Sequence, residues 1–209
     1  MLENRVLDKK AMENDNSNKK VLIGSRRVGK TYALLLNVFR YSTSSSRDAV
    51  YLTHTSSLAK TMSDNLVSIC NEYDYPVDVS VMQGRLCYRV NLGESNVYFM
   101  TWKAFSESFR HLRIRDAYID EPNYFSDFNS ILEEIRYRSL WAGDDAKIII
   151  AGSSTMNGIA LRDISANIAF SRHIAVANNI YSQREIEELK SMMPNDKFRT
   201  EILCEFINR

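Results

Sequence analysis

The chain has 209 residues, 44% of them hydrophobic and 25% charged, and its 27 basic and 26 acidic side chains leave a formal charge of +1. Seven glycines and three prolines exclude collagen-like and low-complexity classes, and the charge balance excludes a generally basic surface, leaving only a local patch for nucleic acid. The scattered Cys70, Cys87 and Cys204, with no CxxC spacing, suit buried thiols in a reducing compartment better than a disulfide framework or a zinc site.

Residues 1–20, MLENRVLDKKAMENDNSNKK, carry charges where a signal peptide needs an apolar stretch. No run approaches the roughly 18 apolar residues that span a bilayer. The expectation is a polar leader (1–20) on an intracellular chain without a membrane partner, followed by one domain over 21–207.

VLIG (21–24) predicts a strand, and KTYALLLNVFRYS (30–42) a helix with Leu34, Leu35, Leu36, Val38 and Phe39 at helical spacing. AVYLTH (49–54) is the next strand. SSLAKTMSDNLVSICNEY (56–73) follows as a helix with Leu58, Met62, Leu66 and Ile69 on one face, and Ser56 or Ser57 as its cap. Beyond Pro76, the segments VDVSVMQ, RLCYRVNL and NVYFMTW (77–102) alternate or run apolar like strands, with a turn at residues 93–95.

AYID (117–120) is a short strand opening on EPNYF, SDFNSILEEIRYRSLW (126–141) a helix capped by Ser126, and KIIIAGSS (147–154) the most apolar strand. AFSRHIAVAN (169–178) reads as a strand. SQREIEELKSMM (182–193) is a helix with a Ser182/Glu185 capping box, stopped by Pro194, and KFRTEILCEFINR a final helix running to the terminus. Helices alternating with apolar strands imply a mostly parallel sheet covered on both faces, an α/β fold, with an antiparallel appendage around 77–102.

GSRRVGKT (24–31) satisfies GxxxxGK[ST] between a strand and a helix, the context that a phosphate-binding loop requires. Gly24 and Gly29 permit backbone angles that turn N–H groups inward around phosphate oxygens, with Ser25, Arg26, Arg27 and Val28 between them. Lys30 places an ammonium against the β- and γ-phosphates of ATP, Thr31 offers a hydroxyl to Mg²⁺, and the helix N-terminus adds partial positive charge. The competing explanation is a glycine-containing strand-to-helix turn. At a glycine usage of ~7% the pattern arises by chance in roughly one chain in a hundred of this length, and the flanking elements reduce that further.

The second requirement is an acidic pair on a neighbouring strand. Asp120 ends AYID and suits the metal shell; Glu121 beside it suits deprotonation of an attacking water. Alone, such a pair is often an ordinary acidic turn; together with the loop it indicates an ATPase that uses water. Ser153, Ser154 and Thr155, leaving the most apolar strand, could sense the γ-phosphate or be ordinary loop residues. Arg26 and Arg27 could touch the γ-phosphate in cis. One of Arg110, Arg113 and Arg115 could reach a neighbouring subunit's nucleotide, or all could be solvated surface residues.

Several blocks in order resemble the ATPase half of large terminase subunits, the DNA-packaging motors of tailed bacteriophages and herpesviruses. SRRVGKT is similar to that family's arginine-containing Walker A motif, and AVYLTHTSSLAKTMSDNL to its second strand and helix. FRHLRIRDAYIDEPNYF is similar to its Walker B segment, with Arg110 eleven residues ahead of Glu121; KIIIAGSSTMNG matches the coupling-motif position and KFRTEILCEF the closing segment.

The resemblance implies a P-loop NTPase fold of the additional-strand, catalytic-glutamate type. It assigns phosphate and Mg²⁺ to Lys30 and Thr31, the metal to Asp120, the base to Glu121, a cis arginine to Arg26, a trans arginine to Arg110 and coupling to Ser153, Ser154 and Thr155. It further implies ATP and Mg²⁺ as cofactors. The implied partners are double-stranded DNA, a portal protein, a small terminase subunit and further copies in a ring, and the implied location is the host cytoplasm, with docking on a procapsid portal. The acidic metal cluster of the family's nuclease half has no counterpart here, so no DNA cutting is expected of this chain. The other classes open to the sequence are a helicase-like P-loop ATPase, a small-molecule kinase and a non-catalytic ATP-binding assembly subunit.

Overall fold

The computed structural model describes residues 15, 17–25, 28–44, 46–84, 86–154, 159–167, 169–175 and 181–205. Its strands are β1 (Lys19–Gly24), β2 (Ala49–Thr53), β3 (Asp78–Met82), β4 (Cys87–Leu92), β5 (Ser95–Thr101), β6 (Asp116–Asp120), β7 (Ile148–Gly152) and β8 (Ser171–Ala175). Its helices are α1 (Lys30–Ser44), α2 (Ser56–Glu72), α3 (Trp102–Glu107), α4 (Phe128–Ser139), α5 (Ile159–Ser165), α6 (Gln183–Met192) and α7 (Asn195–Glu201).

All strands join one eight-stranded sheet in the order β3-β4-β5-β2-β6-β7-β1-β8. From β5 to β8 every pairing is parallel, and β3, β4 and β5 pair antiparallel. The antiparallel unit is therefore continuous with the parallel sheet through the β5–β2 ladder. β7 lies between β1 and β6, so one strand separates the phosphate-loop strand from the Asp-Glu strand, as the additional-strand class requires.

Side-chain alternation sorts the strands' residues onto two cores. Leu22, Tyr51, Tyr118 and Ile149 face α1 and α2, packing with Leu34, Leu35, Val38, Leu66 and Ile69. Ile23, Val50, Leu52, Ile119 and Ile150 face the opposite layer, with Phe105 of α3, Ile131 and Ile135 of α4 and Leu161 of α5. Being covered on both faces makes β1, β2, β6 and β7 near-continuous apolar runs, because neither side of the pleat meets water.

The cap of α2 is Thr55, one residue before the first of the expected serines: its extended backbone (φ −134, ψ 152) lets its hydroxyl accept from Leu58 N. Asp127, not Ser126, caps α4 and accepts from Ser130 N. α4 ends at Ser139, and residues 140–145 continue as a 3-10 turn around Gly143 (φ 60). α3, capped by Thr101, and α5 went unforeseen; both are too short to show periodicity. The capping box of Ser182 and Glu185 forms as expected.

The final helix stops at Glu201 instead of continuing. The carbonyls of Thr200 and Ile202 accept from the buried hydroxyls of Ser154 and Ser25, and Cys204 takes a left-handed conformation (φ 58). Tertiary bonds thus replace the helical ones. Residues 176–178 of the expected strand 169–178 lie outside the described residues.

Candidate nucleotide site

The carboxyl ends of β1, β7, β6 and β2 lie side by side along one edge of the sheet, the place where open α/β sheets bind ligands. The left-handed turn of the phosphate loop falls at Gly29 (φ 80), whereas Gly24 is the last residue of β1. From the first residue of α1, Lys30 turns back over the loop. Its Nζ donates to Gly24 O (3.0 Å), Ser25 O (2.8 Å) and Ser153 Oγ (3.0 Å) and lies 4.0 Å from Glu121 Oε1. Arg26, Arg27 and Thr155 lie outside the described residues, and Val28 is a fully buried core residue.

Thr31 Oγ1 donates to Asp120 Oδ2 at 3.1 Å, and the hydroxyl of Tyr51, from β2, donates to the same oxygen at 3.2 Å. The other oxygen, Oδ1, is buried and has no hydrogen-bond partner. Burial, reinforced by the charge of Glu121, pushes the Asp120 carboxyl up to about 6 against the hydrogen bonds of Thr31 and Tyr51 and the charge of Lys30.

A hydroxyl bonded to a carboxylate that keeps one bare, buried oxygen suits a hard cation held by few protein oxygens together with phosphate oxygens and water, the usual arrangement for Mg²⁺. Among the described residues no group of three or more His, Cys, Asp or Glu side chains forms a closed cage. The donor set present therefore fits a metal that arrives with a phosphate ligand.

Glu121 follows β6 in a left-handed conformation (φ 52, ψ 64), strain of the kind that concentrates at functional positions in non-glycine residues. Its N–H donates to Ala151 O at 2.7 Å, extending the ladder to β7. The carboxylate accepts from Ser153 N (Oε2, 3.0 Å) and Ser153 Oγ (Oε1, 3.1 Å). One serine hydroxyl thus accepts from Lys30 and donates to Glu121.

This approach needs glycine at 152, where a Cβ would meet Pro122 Cδ at 3.1 Å and Glu121 Oε2 at 3.3 Å. Ser154 turns away to Thr200 O, so of the coupling candidates that the structure describes only Ser153 faces the site. An open cleft of about 670 Å³ extends from Lys30, Thr31 and Glu121 between α1 and α2 to Tyr32 and Glu72.

Over residues 21–209 the sequence matches the family described as terminase large subunit, T4likevirus-type, N-terminal. The chain belongs to this terminase family. No curated protein matches it significantly. Among solved structures it is similar to the large terminase ATPase domain of Thermus phage P74-26, with 14% identity, a TM-score of 0.76 and coverage of 95% of this chain and 92% of that one.

The large terminase of a thermophilic bacteriophage, solved in complex with ADP, is similar at 13% identity and a TM-score of 0.71, over 98% of this chain and 53% of that one. The bacteriophage HK97 large terminase is similar at 15% identity and a TM-score of 0.65, over 90% and 47%. The chain therefore spans about half the length of these last two proteins. The likenesses establish a shared P-loop NTPase fold.

In this terminase the three candidate finger arginines part company. Arg115 bonds Asp145 Oδ2 at 3.1 Å, beside the amino ends of β6 and β7 and away from the phosphate loop. Arg113 is exposed. Arg110 is exposed, donates through Nε to Ser106 O at 3.0 Å, and lines a separate groove of about 640 Å³ with Trp102 and Tyr137.

Sequence reasoning missed Tyr51 and Asn123. Asn123 Nδ2 donates to Ser153 O (2.8 Å) and its Oδ1 accepts from Leu161 N (3.2 Å), tying the turn after Glu121 to both β7 and α5. Its place in the EPN turn was the one available signal. Tyr51 sits inside an apolar strand and shows none.

Proposed function

We propose that this chain binds ATP with Mg²⁺ and hydrolyses it as the motor domain of a genome-packaging terminase that translocates double-stranded DNA into a procapsid. The observation that supports this reading above all is the Lys30–Ser153–Glu121 hydrogen-bond chain beside the Thr31–Asp120 pair. Those five side chains supply phosphate, metal and water functions within one cleft. Lys30 and the loop N–H groups bind the phosphates, and Thr31 with Asp120 holds the cation, which when bound neutralises charge on the β- and γ-oxygens.

Glu121 accepts the proton of the water whose oxygen attacks the γ-phosphorus, and ADP leaves. Ser153 gives the site a sensor: a Lys30 ammonium drawn to a γ-phosphate withdraws its hydrogen bond from the serine hydroxyl, which is one of the two groups that hold Glu121. Arg110, which faces away from its own loop, reaches a neighbouring copy's nucleotide in a ring. The resemblance supports a portal protein and a small terminase subunit as the other partners, and the host cytoplasm as the place of action.

The test is steady-state ATP hydrolysis across protein concentration for wild type, Glu121→Ala, Arg110→Ala and their mixture. Two inactive variants that regain activity on mixing are the expected result, because a ring then contains sites with an intact base and an intact neighbouring arginine. An Arg110→Ala protein that hydrolyses normally at every concentration removes the trans role. A wild type that hydrolyses no ATP removes the reading itself.

A further inference from the structure

We propose that Tyr51 is a positioning residue: its phenol fixes the Asp120 carboxylate so that one oxygen, Oδ1, is presented to the metal of a bound nucleotide. The inference rests on the nucleotide-site reading above and adds a residue to it.

Tyr51 lies at the middle of β2, fully buried, with its ring stacked on Phe99 of β5 at 5.2 Å. A phenylalanine would fill that place equally well. The hydroxyl is unfavourable in an apolar layer unless it finds a partner, and the partner it finds is Asp120 Oδ2 at 3.2 Å. Thr31 approaches the same oxygen from α1 at 3.1 Å. Two donors from two different elements thus converge on Oδ2, while Oδ1 is left buried and bare.

The donors are not equivalent. The Thr31 oxygen has lone pairs to offer a cation while it donates to the carboxylate; Tyr51, deeper in the sheet, serves only to orient. Side chains that orient a metal ligand change metal affinity by 10–100-fold when removed, without touching the ion.

The fold supplies its own control. Tyr118, of β6, lies directly beside Tyr51 in the ladder and is equally buried, but its hydroxyl has no hydrogen-bond partner. Removing either phenolic oxygen subtracts one buried oxygen from neighbouring positions of the same layer; only one of them touches Asp120.

The experiment measures the affinity of a fluorescent ATPγS analogue for wild type, Tyr51→Phe and Tyr118→Phe, with Mg²⁺ and with EDTA. For Tyr51→Phe the metal-free affinity is expected to stay within about two-fold of wild type, while the gain on adding Mg²⁺ falls by about ten-fold, the lower end of the range for such orienting groups. The Mg²⁺ concentration that half-saturates hydrolysis should rise in parallel, with KM for ATP unchanged at saturating Mg²⁺. Tyr118→Phe should match wild type in every measurement.

A Tyr51→Phe protein that keeps the full Mg²⁺ gain overturns the proposal. So does one that loses metal-free binding to the same degree, since that marks a structural role only. If wild type binds the analogue but Tyr51→Phe is unaltered, the nucleotide reading stands and this inference alone falls; a wild type that binds no analogue removes both.

Discussion

Asp15 lies within the segment expected to be a polar leader, and its side chain is tied into the sheet. Its Oδ2 lies 2.7 Å from His173 Nε2 on β8, its Oδ1 accepts from Ser17 N at 2.8 Å, and its carbonyl accepts from Lys20 Nζ at 2.6 Å. Burial alone would raise this carboxyl; the hydrogen bonds of Ser171, His173 and Ser17 outweigh it and hold the group at about 2. A carboxyl with a depressed folded value contributes stability in its charged form. The contribution is present in full above the unfolded value of 3.8 and is lost as pH falls towards about 2.

Asp15→Asn should therefore lower the urea midpoint at about pH 5, and the gap should narrow below about 4. A gap that persists unchanged at pH 3 would assign the effect to packing. At this scale the motif residues were legible as a group: the structure brings Lys30, Thr31, Asp120, Glu121 and Ser153 into contact with one another, because each leaves or follows a strand whose carboxyl end lies on the same edge of the sheet. Tyr51 and Asp15 were not, since their partners lie 69 and 158 residues away and nothing local marks a side chain that acts across the sheet.

At the scale of elements, α3 shows how a short helix is held by a distant one. Arg138 of α4, 7% exposed, donates to Phe105 O (2.9 Å) and Phe109 O (2.6 Å) and pairs with Glu134. Its guanidinium lies 3.9 Å above the Phe105 ring. The planar fork thus reaches the Phe105 carbonyl in the last turn of α3 and the Phe109 carbonyl just beyond it, which also accepts from Leu112 N at 3.0 Å. Arg138→Met should destabilise the fold by roughly 3 kcal/mol, since the Phe105 carbonyl and the Glu134 charge lose this donor, and urea titration reads this directly.

Arg138→Lys should recover only part of the loss, because an ammonium cannot span both carbonyls. Arg110 leaves the same α3 end, so the variant should also impair the arginine-donating partner in the mixing test more than the base-donating one. Among elements, β1, β2, β6 and β7 were legible because burial on both faces writes them as apolar runs. The six residues of α3 carry too few positions to establish a period, and the end of α7 is decided by hydroxyls of Ser25 and Ser154, far away in sequence.

The whole molecule brings the chemistry together by topology: parallel strands place Gly24, Tyr51, Asp120 and Ser153 at or near one edge of the sheet although nearly 130 residues separate the first from the last. The three cysteines sample different regions of that assembly. Cys70 lies on α2 in one core and Cys87 on β4 in the other, and the Sγ of Cys204 is 3.5 Å from the phosphate-loop Ser25 Oγ. Burial pushes the Cys70 thiol up to about 11 and Cys87 up to about 12, and raises Cys204 as well.

Thiolate, the reactive form, is therefore scarce at pH 8, and alkylation has to wait for an opening that restores both access and an ordinary acidity. Cys70 and Cys87 should label with iodoacetamide at one common rate, that of global unfolding, and both should accelerate together in urea. Cys204 is 9% exposed and follows α7, the last short helix described, so local opening of that end should label it first. A ligand that binds only the closed form stabilises it by about 2.7 kcal/mol at a concentration of 100 Kd, roughly a hundred-fold in opening.

ATPγS with Mg²⁺ should then slow Cys204 labelling by up to that factor if the segment bonded to Ser25 and Ser154 must be in place for the loop to hold phosphate. Peptide mass spectrometry after timed quenching separates the three sites. Protection of Cys204 together with its retention in Ser25→Ala would show that the ligand acts through the sheet edge as a whole, whereas its loss in that variant assigns the coupling to the Ser25 hydroxyl, which contacts both Ile202 O and Cys204 Sγ.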